Sequence, residues 1–406
     1  MAGEWITATL GDVLELKRGY DLPTTQRLAG SVPIISSSGV SGSHSIAMVQ
    51  GPGVVTGRYG TIGQVFYVDR DFWPLNTTLY VRDFKGANPR FAAYFLMRLD
   101  FQAYTDKAAV PGINRNDLHL AEVRWPPREE QDRIANLLGA LDDKIELNLR
   151  VAGTLEEMLR ALFKSWFVDF DPVRAKAKGR STGLSDAIAA LFPSHLGDDG
   201  VPEGWHFQSM LDQANWVNGA AYKDMHFSSA PDALPVVKIA ELKNGISEGT
   251  KWTNTDLGER YRIGEGELLF SWSGSPDTSI DTFVWVHGDA WLNQHVFAVR
   301  PNGQASEALL FSMLKFFKPT LIEIARDKQT TGLGHVTRQD MIRLKVCPGE
   351  PRVRAAFDQI AVPLFTRLKL VLKEIARLAA IRDTLLPKLI SGELRIKDAE
   401  NAVEAA

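Results

Sequence analysis

At 406 residues, 45% apolar and 23% charged, the chain has the composition of an ordinary globular protein with room for two or three cores. Its formal charge of −3 excludes nucleic-acid binding through bulk positive charge, and its single cysteine, Cys347, excludes an internal disulfide or a cysteine-rich zinc site. Neither a run of 18 apolar residues nor a basic head before an apolar stretch occurs, so a cytoplasmic protein with no membrane partner is expected.

Residues 1–127 read as a β-rich block. The short apolar runs Val32–Ile35, Gly53–Thr56, Gln64–Val68 and Thr77–Arg82 are separated by Gly, Ser and Pro clusters. A helix is expected over Arg90–Thr105, with Phe91, Tyr94, Phe95, Met97, Leu99 and Phe101 on its buried face. Val123-Arg124-Trp125-Pro126-Pro127 closes the block as a strand stopped by two prolines.

A long helix follows over 128–165. Ile134, Leu138, Leu141, Ile145, Asn148, Ala152, Leu155, Leu159 and Leu162 alternate in steps of four and three, the rhythm of an apolar seam on one helix face. Residues 166–204 form a turn-rich connector with one short helix near Ser185–Leu191. A second block then spans 205–349, a second long helix 350–390 and a tail 391–406.

The second half repeats the first. Adding 223 to the first seam gives Phe357, Ala361, Leu364, Leu368, Val371, Ile375, Leu378, Arg382 and Leu385, again with one polar interruption. Trp5 and Gly19 are echoed by Trp205 and Gly219 at an offset of 200, and Pro33-Ile34-Ile35 by Pro235-Val236-Val237 at 202. Leu75-Asn76 is echoed by Leu292-Asn293 at 217, and Ile113–Leu118 by Val336–Met341 at 223. An offset that only grows is what loop insertions in a duplicated domain produce.

Helices of about 35 residues run roughly 50 Å, and neither can hide its seam alone. The fold expected is therefore α+β: two similar β-rich domains separated by two long antiparallel coiled-coil helices, a pseudo-two-fold tandem repeat. Gly139 and Gly153 in the first helix, and Pro363 in the second, bear on how straight the pair runs.

Catalytic signatures are missing from the sequence. There is no Gly-x-x-x-x-Gly-Lys-Ser/Thr loop, no Cys/His cluster and no Gly-x-Gly-x-x-Gly turn after a strand. Asp169-x-Asp171 reads as a helix-exit turn, Asp142-Asp143 as a solvated helix face, and His295 as a hydrogen-bonded polar group. Gly57–Gly63 reads as a turn or bulge, with a nucleic-acid-facing loop through Arg58 and Tyr59 as the alternative, and Gly332–His335 as a turn. No metal site and no nucleophile–base set emerges, so a non-catalytic protein is expected.

A DNA reader needs Arg, Lys, Asn or Gln for base edges, and small hydroxyls and backbone donors for phosphates. In the first block the loops offer Lys17, Arg18, Tyr20, Ser37, Ser38, Arg58, Tyr59, Asn76, Lys107, Asn114 and Arg115. In the second they offer Asn218, Tyr222, Lys223, Lys238, Lys243, Ser271, Trp272, Ser273, Gln294, Thr330, Thr331 and Arg338. Residues 1–127 carry 12 Lys and Arg against 11 Asp and Glu, and residues 205–349 carry 14 against 16. Any DNA contact must therefore come from local patches, with partners supplying much of the backbone clamp.

Several motifs are more specific. They are Gly112–Leu118, Val123–Pro127, Glu130–Ile134, Leu141–Asn148, Leu162–Val173, Leu191-Phe192-Pro193, Gly204-Trp205 and the ending Arg382–Leu394. Together they resemble the specificity subunit of type I restriction–modification systems across essentially the whole chain. The resemblance implies one target recognition domain in each block, each reading half of a split site in double-stranded DNA. It implies that the long helices act as a ruler and as the dock for two methyltransferase subunits. Those partners, not this chain, would bind S-adenosylmethionine and methylate adenine N6, and restriction/translocase subunits would cut. The alternative is a structural adaptor whose paired β-rich domains bind other proteins.

Overall fold

The computed structural model describes residues 4–105, 111–329 and 332–399. The chain divides into two compact units, one holding the chain up to Lys144 together with that from Leu378 onward, the other running Ile145–Arg377. Each combines one β-rich block with part of both long helices.

In the first unit an antiparallel sheet has the order Glu15–Arg18, Thr78–Asp83, Gly53–Gly57, Val65–Val68. A second sheet joins Gly39–His44 to Val32–Ser36, and Val32–Ser36 in parallel to Trp73–Pro74. Ile6–Thr9 pairs with Glu122–Trp125 and closes the block. The four expected apolar runs are all strands, each shifted by no more than a residue or so at its ends. The expected helix is shorter, Pro89–Met97, followed by a 3-10 turn at Phe101–Tyr104. The break falls where the Asp100 carboxylate accepts from the Gln102 amide at 3.1 Å, and Met97 is left 41% exposed rather than buried.

The second unit repeats this frame internally. Its antiparallel sheet has the order Ala214–Asn218, Val296–Pro301, Leu268–Ser271, Asp281–Val284. Leu234–Val237 runs parallel to Ala290–Leu292, and Gln208–Ser209 pairs with Lys345–Val346. The residues after the first long helix are not a loose connector. Asp171–Ala177 forms an extra helix with Pro172 in its first turn, Asp186–Ala189 forms the expected one, and Phe170, Val173, Phe192 and Trp205 are buried in this unit's core.

The long helices span Arg128–Phe167 and Pro351–Ser391, 40 and 41 residues, or about 60 Å each at 1.5 Å per residue. Pro363 and Pro387 lie inside the second without ending it. In the first unit Ile134, Leu138 and Leu141 share a core with Leu385, Leu389 and Ile390. In the second unit Leu155, Leu159 and Phe163 share one with Phe357, Leu368 and Val371, with Leu162, Leu364 and Ile375 packed against it. The start of one helix thus meets the end of the other in each unit, the pairing of antiparallel helices. Ile145 and Leu378 are half-buried. Full burial of a leucine at such positions contributes about 2 kcal/mol.

The seam's polar interruptions differ in kind. Arg382 reaches the Asp142 carboxylate at 2.9 Å, which also accepts the Tyr94 hydroxyl, while Asp143 pairs with Arg90 at 2.6 Å. Asp142 is therefore a half-buried tether rather than part of a solvated face, whereas Asp143 is solvent-exposed as expected and pairs with Arg90 from there. Gly139 makes room for it: a Cβ there would stand 2.8 Å from the Arg90 guanidinium, which donates to the Gly139 carbonyl at 3.1 Å. Asn148 is buried, and its amide nitrogen has no partner among the described residues.

Candidate nucleic-acid interface

In the first unit backbone hydrogen bonds gather one group of loops. Gly57 and Gly63 close the hairpin between Gly53–Gly57 and Val65–Val68, and so present Arg58 and Tyr59. The Arg58 and Tyr59 amides both donate to the Thr77 carbonyl, at 2.9 and 3.2 Å. The Ile113 amide donates to the Arg58 carbonyl at 3.1 Å, and Tyr59 bridges Gly112. Gly19 lets this happen, because a Cβ there would lie 2.2 Å from the Leu75 carbonyl oxygen.

Arg58, Tyr59, Asn76, Asn114 and Arg115 are thereby neighbours along the chain's folded-back turns, and Ser37 adjoins them through its carbonyl beside Gly57. The Arg58 guanidinium lies 4.5 Å from the centre of the Tyr59 ring. Asn114 caps the short helix Arg115–His119, accepting from the Asn116 amide at 3.0 Å, and leaves Arg115 exposed. Lys17 lies 5.5 Å over the Tyr20 ring, and Arg18 and Asn76 both meet Asp21. Ser38 occupies the exposed turn after Val32–Ser36, bonded to the Ser36 hydroxyl at 3.1 Å.

The second unit builds the same frame from different side chains. The Trp272 amide meets the His295 carbonyl, and the Val336 amide donates to the Trp272 carbonyl at 2.8 Å, as Ile113 does to Arg58. Ser273 pairs with His335 where Tyr59 meets Gly112. A Cβ on Gly219 would lie 2.2 Å from the Asn293 carbonyl oxygen, matching Gly19 against Leu75. The alignment of Leu75-Asn76 with Leu292-Asn293 is thus one residue out. Leu75 corresponds to Asn293 and Asn76 to Gln294, and the true echo there is Trp73 and Trp291, each paired in parallel with the preceding strand.

Asn218, Trp272, Ser273, Gln294 and Arg338 come together in this frame, and Lys238 follows Val237, whose carbonyl accepts from the Asn293 amide at 3.0 Å. Asn218 accepts from the Trp272 indole at 3.0 Å, and Arg338 donates to the Trp216 carbonyl at 2.7 Å. Lys223 and Lys243 are exposed but lie apart in the chain, Lys223 before the 3-10 turn Asp224–His226 and Lys243 within the short helix Ile239–Asn244.

Two of the expected residues do not belong to the interface. Ser271 is fully buried within Leu268–Ser271, because that strand lies inside its sheet and not in the loop beyond it. Tyr222 is buried beside Trp291, and burial pushes its hydroxyl up to about 12. Lys107, Thr330 and Thr331 lie outside the described residues. His335 is a residue that the sequence pattern does not single out, although the 223 offset from Gly112 points to it. His295 is the expected hydrogen-bonded polar group, its Nε2 3.2 Å from the Gln294 amide nitrogen, and its ring centre lies 5.7 Å from that of Trp272 with the planes tilted by 48°. Gly334–His335 is a strand rather than a turn.

Among the described residues no cluster of three or more His, Cys, Asp or Glu is placed to share a metal ion. No helix among them is long and apolar enough to cross a membrane.

The family model for the type I restriction modification DNA specificity domain matches residues 2–157. The HindI specificity subunit of Haemophilus influenzae is 26% identical over 329 residues, covering 70% of this chain and 71% of that protein. Residues 2–157 thus resemble a type I specificity domain, and the chain is similar to a type I specificity subunit over 70% of its length. The MjaIX specificity subunit of Methanocaldococcus jannaschii is 27% identical over 297 residues, 71% of this chain and 64% of that protein. The crystal structure of a type I S subunit from M. genitalium shares the fold, with a TM-score of 0.58, 17% identity, and coverage of 95% of this chain and 96% of that one.

Proposed function

We propose that the chain reads the two halves of a split DNA sequence for a type I restriction–modification complex, one half with each β-rich block. The observation that supports this is the duplicated loop frame, in which the same backbone hydrogen bonds hold Arg58-Tyr59 in one unit and Trp272-Ser273 in the other. A scaffold used twice with different exposed side chains suits two different sequences read by one mechanism. On this reading two methyltransferase subunits dock on the chain, supply S-adenosylmethionine and methylate adenine N6, while restriction/translocase subunits cut. The long helices set the distance between half-sites, and the near-neutral chain relies on its partners for much of the phosphate contact. The assembly works in the cytoplasm, where the DNA is.

Single-molecule methylome sequencing of cells expressing the chain with its methyltransferase subunits, against cells lacking it, tests the proposal. A new two-part N6-methyladenine motif with unspecified bases between its halves is expected. No new motif from a confirmed assembly would return the chain to the role of a protein-binding adaptor.

A further inference from the structure

We infer that Arg58 selects a guanine in the first half-site, and that the equivalent Trp272 gives the second half-site a different requirement at the matching base. The inference rests on the DNA-reading function proposed above and names one residue and one base within it.

The two units separate positions that serve the frame from positions that vary within it. Arg115 and Arg338 stand at the same first position of the matching short helices, a cation kept in both. A contact to phosphate asks for the same chemistry at both half-sites, because the backbone of DNA is the same in each. Position 58 behaves differently. Its counterpart, fixed by the shared bonds from Ile113 and Val336, is Trp272, which has no positive charge. A position that changes between readers on an unchanged frame is one that follows the sequence read.

The geometry around Arg58 suits a base edge. Its Nε approaches the Ile113 carbonyl at 3.5 Å, and its guanidinium carbon lies 4.5 Å from the centre of the Tyr59 ring. The ring is seated in turn on Gly112, where a Cβ would stand 2.2 Å from Tyr59 Cε1. Backbone carbonyl and ring thus hold the guanidinium on two sides before DNA arrives. Its terminal nitrogens have no hydrogen-bond or ion-pair partner among the described residues. A donor-only fork matches one base edge above all, the O6 and N7 acceptors of guanine in the major groove. In the second unit the pair is reversed in size, Ser273 facing His335, and the Trp272 indole N–H is already given to Asn218. The side chain at position 272 itself therefore offers no two-pronged donor.

The test selects binders from a duplex library randomised in both half-sites, using the chain assembled with its methyltransferase subunits. Arg58→Ala is expected to erase the preference for one guanine in one half-site, a roughly 10- to 100-fold loss of discrimination, with the other half unchanged. Arg58→Lys should also lose it, since a point charge cannot form the fork, and it serves if the alanine variant does not fold. Trp272→Ala should alter only the other half. A duplex carrying 7-deazaguanine at that position, lacking N7, should weaken wild type but not the Arg58 variants. Retention of the same motif by both Arg58 variants, loss at a base other than guanine, or an equal 7-deaza penalty in wild type and variant would each overturn the assignment. Failure of the wild-type assembly to yield any two-part motif would overturn the DNA-reading function itself.

Discussion

Gly112 shows how much of the interface depends on a missing methyl group. Its role is space for the Tyr59 ring, not a left-handed backbone. Gly112→Ala should displace that ring, at a cost of about 1–3 kcal/mol, and disturb recognition of the first half-site alone. Thermal melting and motif selection on the same variant check both parts. Asp281 makes a different point. Burial would push its carboxyl up, but Lys315 at 3.1 Å and Lys318 at 2.6 Å outweigh burial and hold it below the usual 3.8. A depressed carboxylate contributes stability in full above its unfolded value and loses it as pH falls through the folded one. Asp281→Asn should therefore lower stability by about 3 kcal/mol at neutral pH, with the gap to wild type closing below about pH 4. Melting curves from pH 7 down to pH 2 would show it, and a gap independent of pH would refute the ion-pair account.

The long helices are legible in the sequence because a seven-residue rhythm with one polar break persists through both. Their partners are not. Nothing in the spacing says that Asp142 holds both Arg382 and Tyr94, since those contacts join residues 240 and 48 positions apart. Asn148 is buried in the seam with an amide nitrogen left unpaired among the described residues. Asn148→Leu should raise the melting temperature of this unit by about 2–4 °C, through relief of about 1 kcal/mol. A lowered melting temperature would mean that the amide has a role in register that outweighs its burial. Deleting one matched heptad from both helices removes about 10 Å from each. The spacer between half-sites should shorten by about three base pairs with both half-site sequences unchanged, and an unaltered spacer would end the ruler reading.

At the scale of the whole molecule, the proposed function predicts that exchange of residues 1–127 for the corresponding block of a type I specificity subunit changes one half-site and leaves the second intact. Methylome sequencing decides it, and changes in both halves would contradict modular reading. The duplication itself is readable in the sequence, because glycines and tryptophans needed for close approach survive in both copies. Its register is not fully readable. Leu-Asn recurs by chance one residue away from the true match, and only the carbonyls facing Gly19 and Gly219 separate the two. The interface residues are harder still to pick out, because serines two positions apart on successive strands look alike in sequence. Ser271 is buried and Ser273 is not.

The first unit is discontinuous along the chain: its core includes Leu385, Leu389 and Ile390, and more than 230 residues of the second unit are synthesised before they appear. At about 5–20 residues per second the first block waits roughly 12–50 s with Leu138 and Leu141 uncovered, while the second unit completes itself from one uninterrupted stretch. Birth order and completion order are therefore reversed. The half of the molecule made first is the half finished last, and for that interval it is the part most exposed to chaperones and proteases.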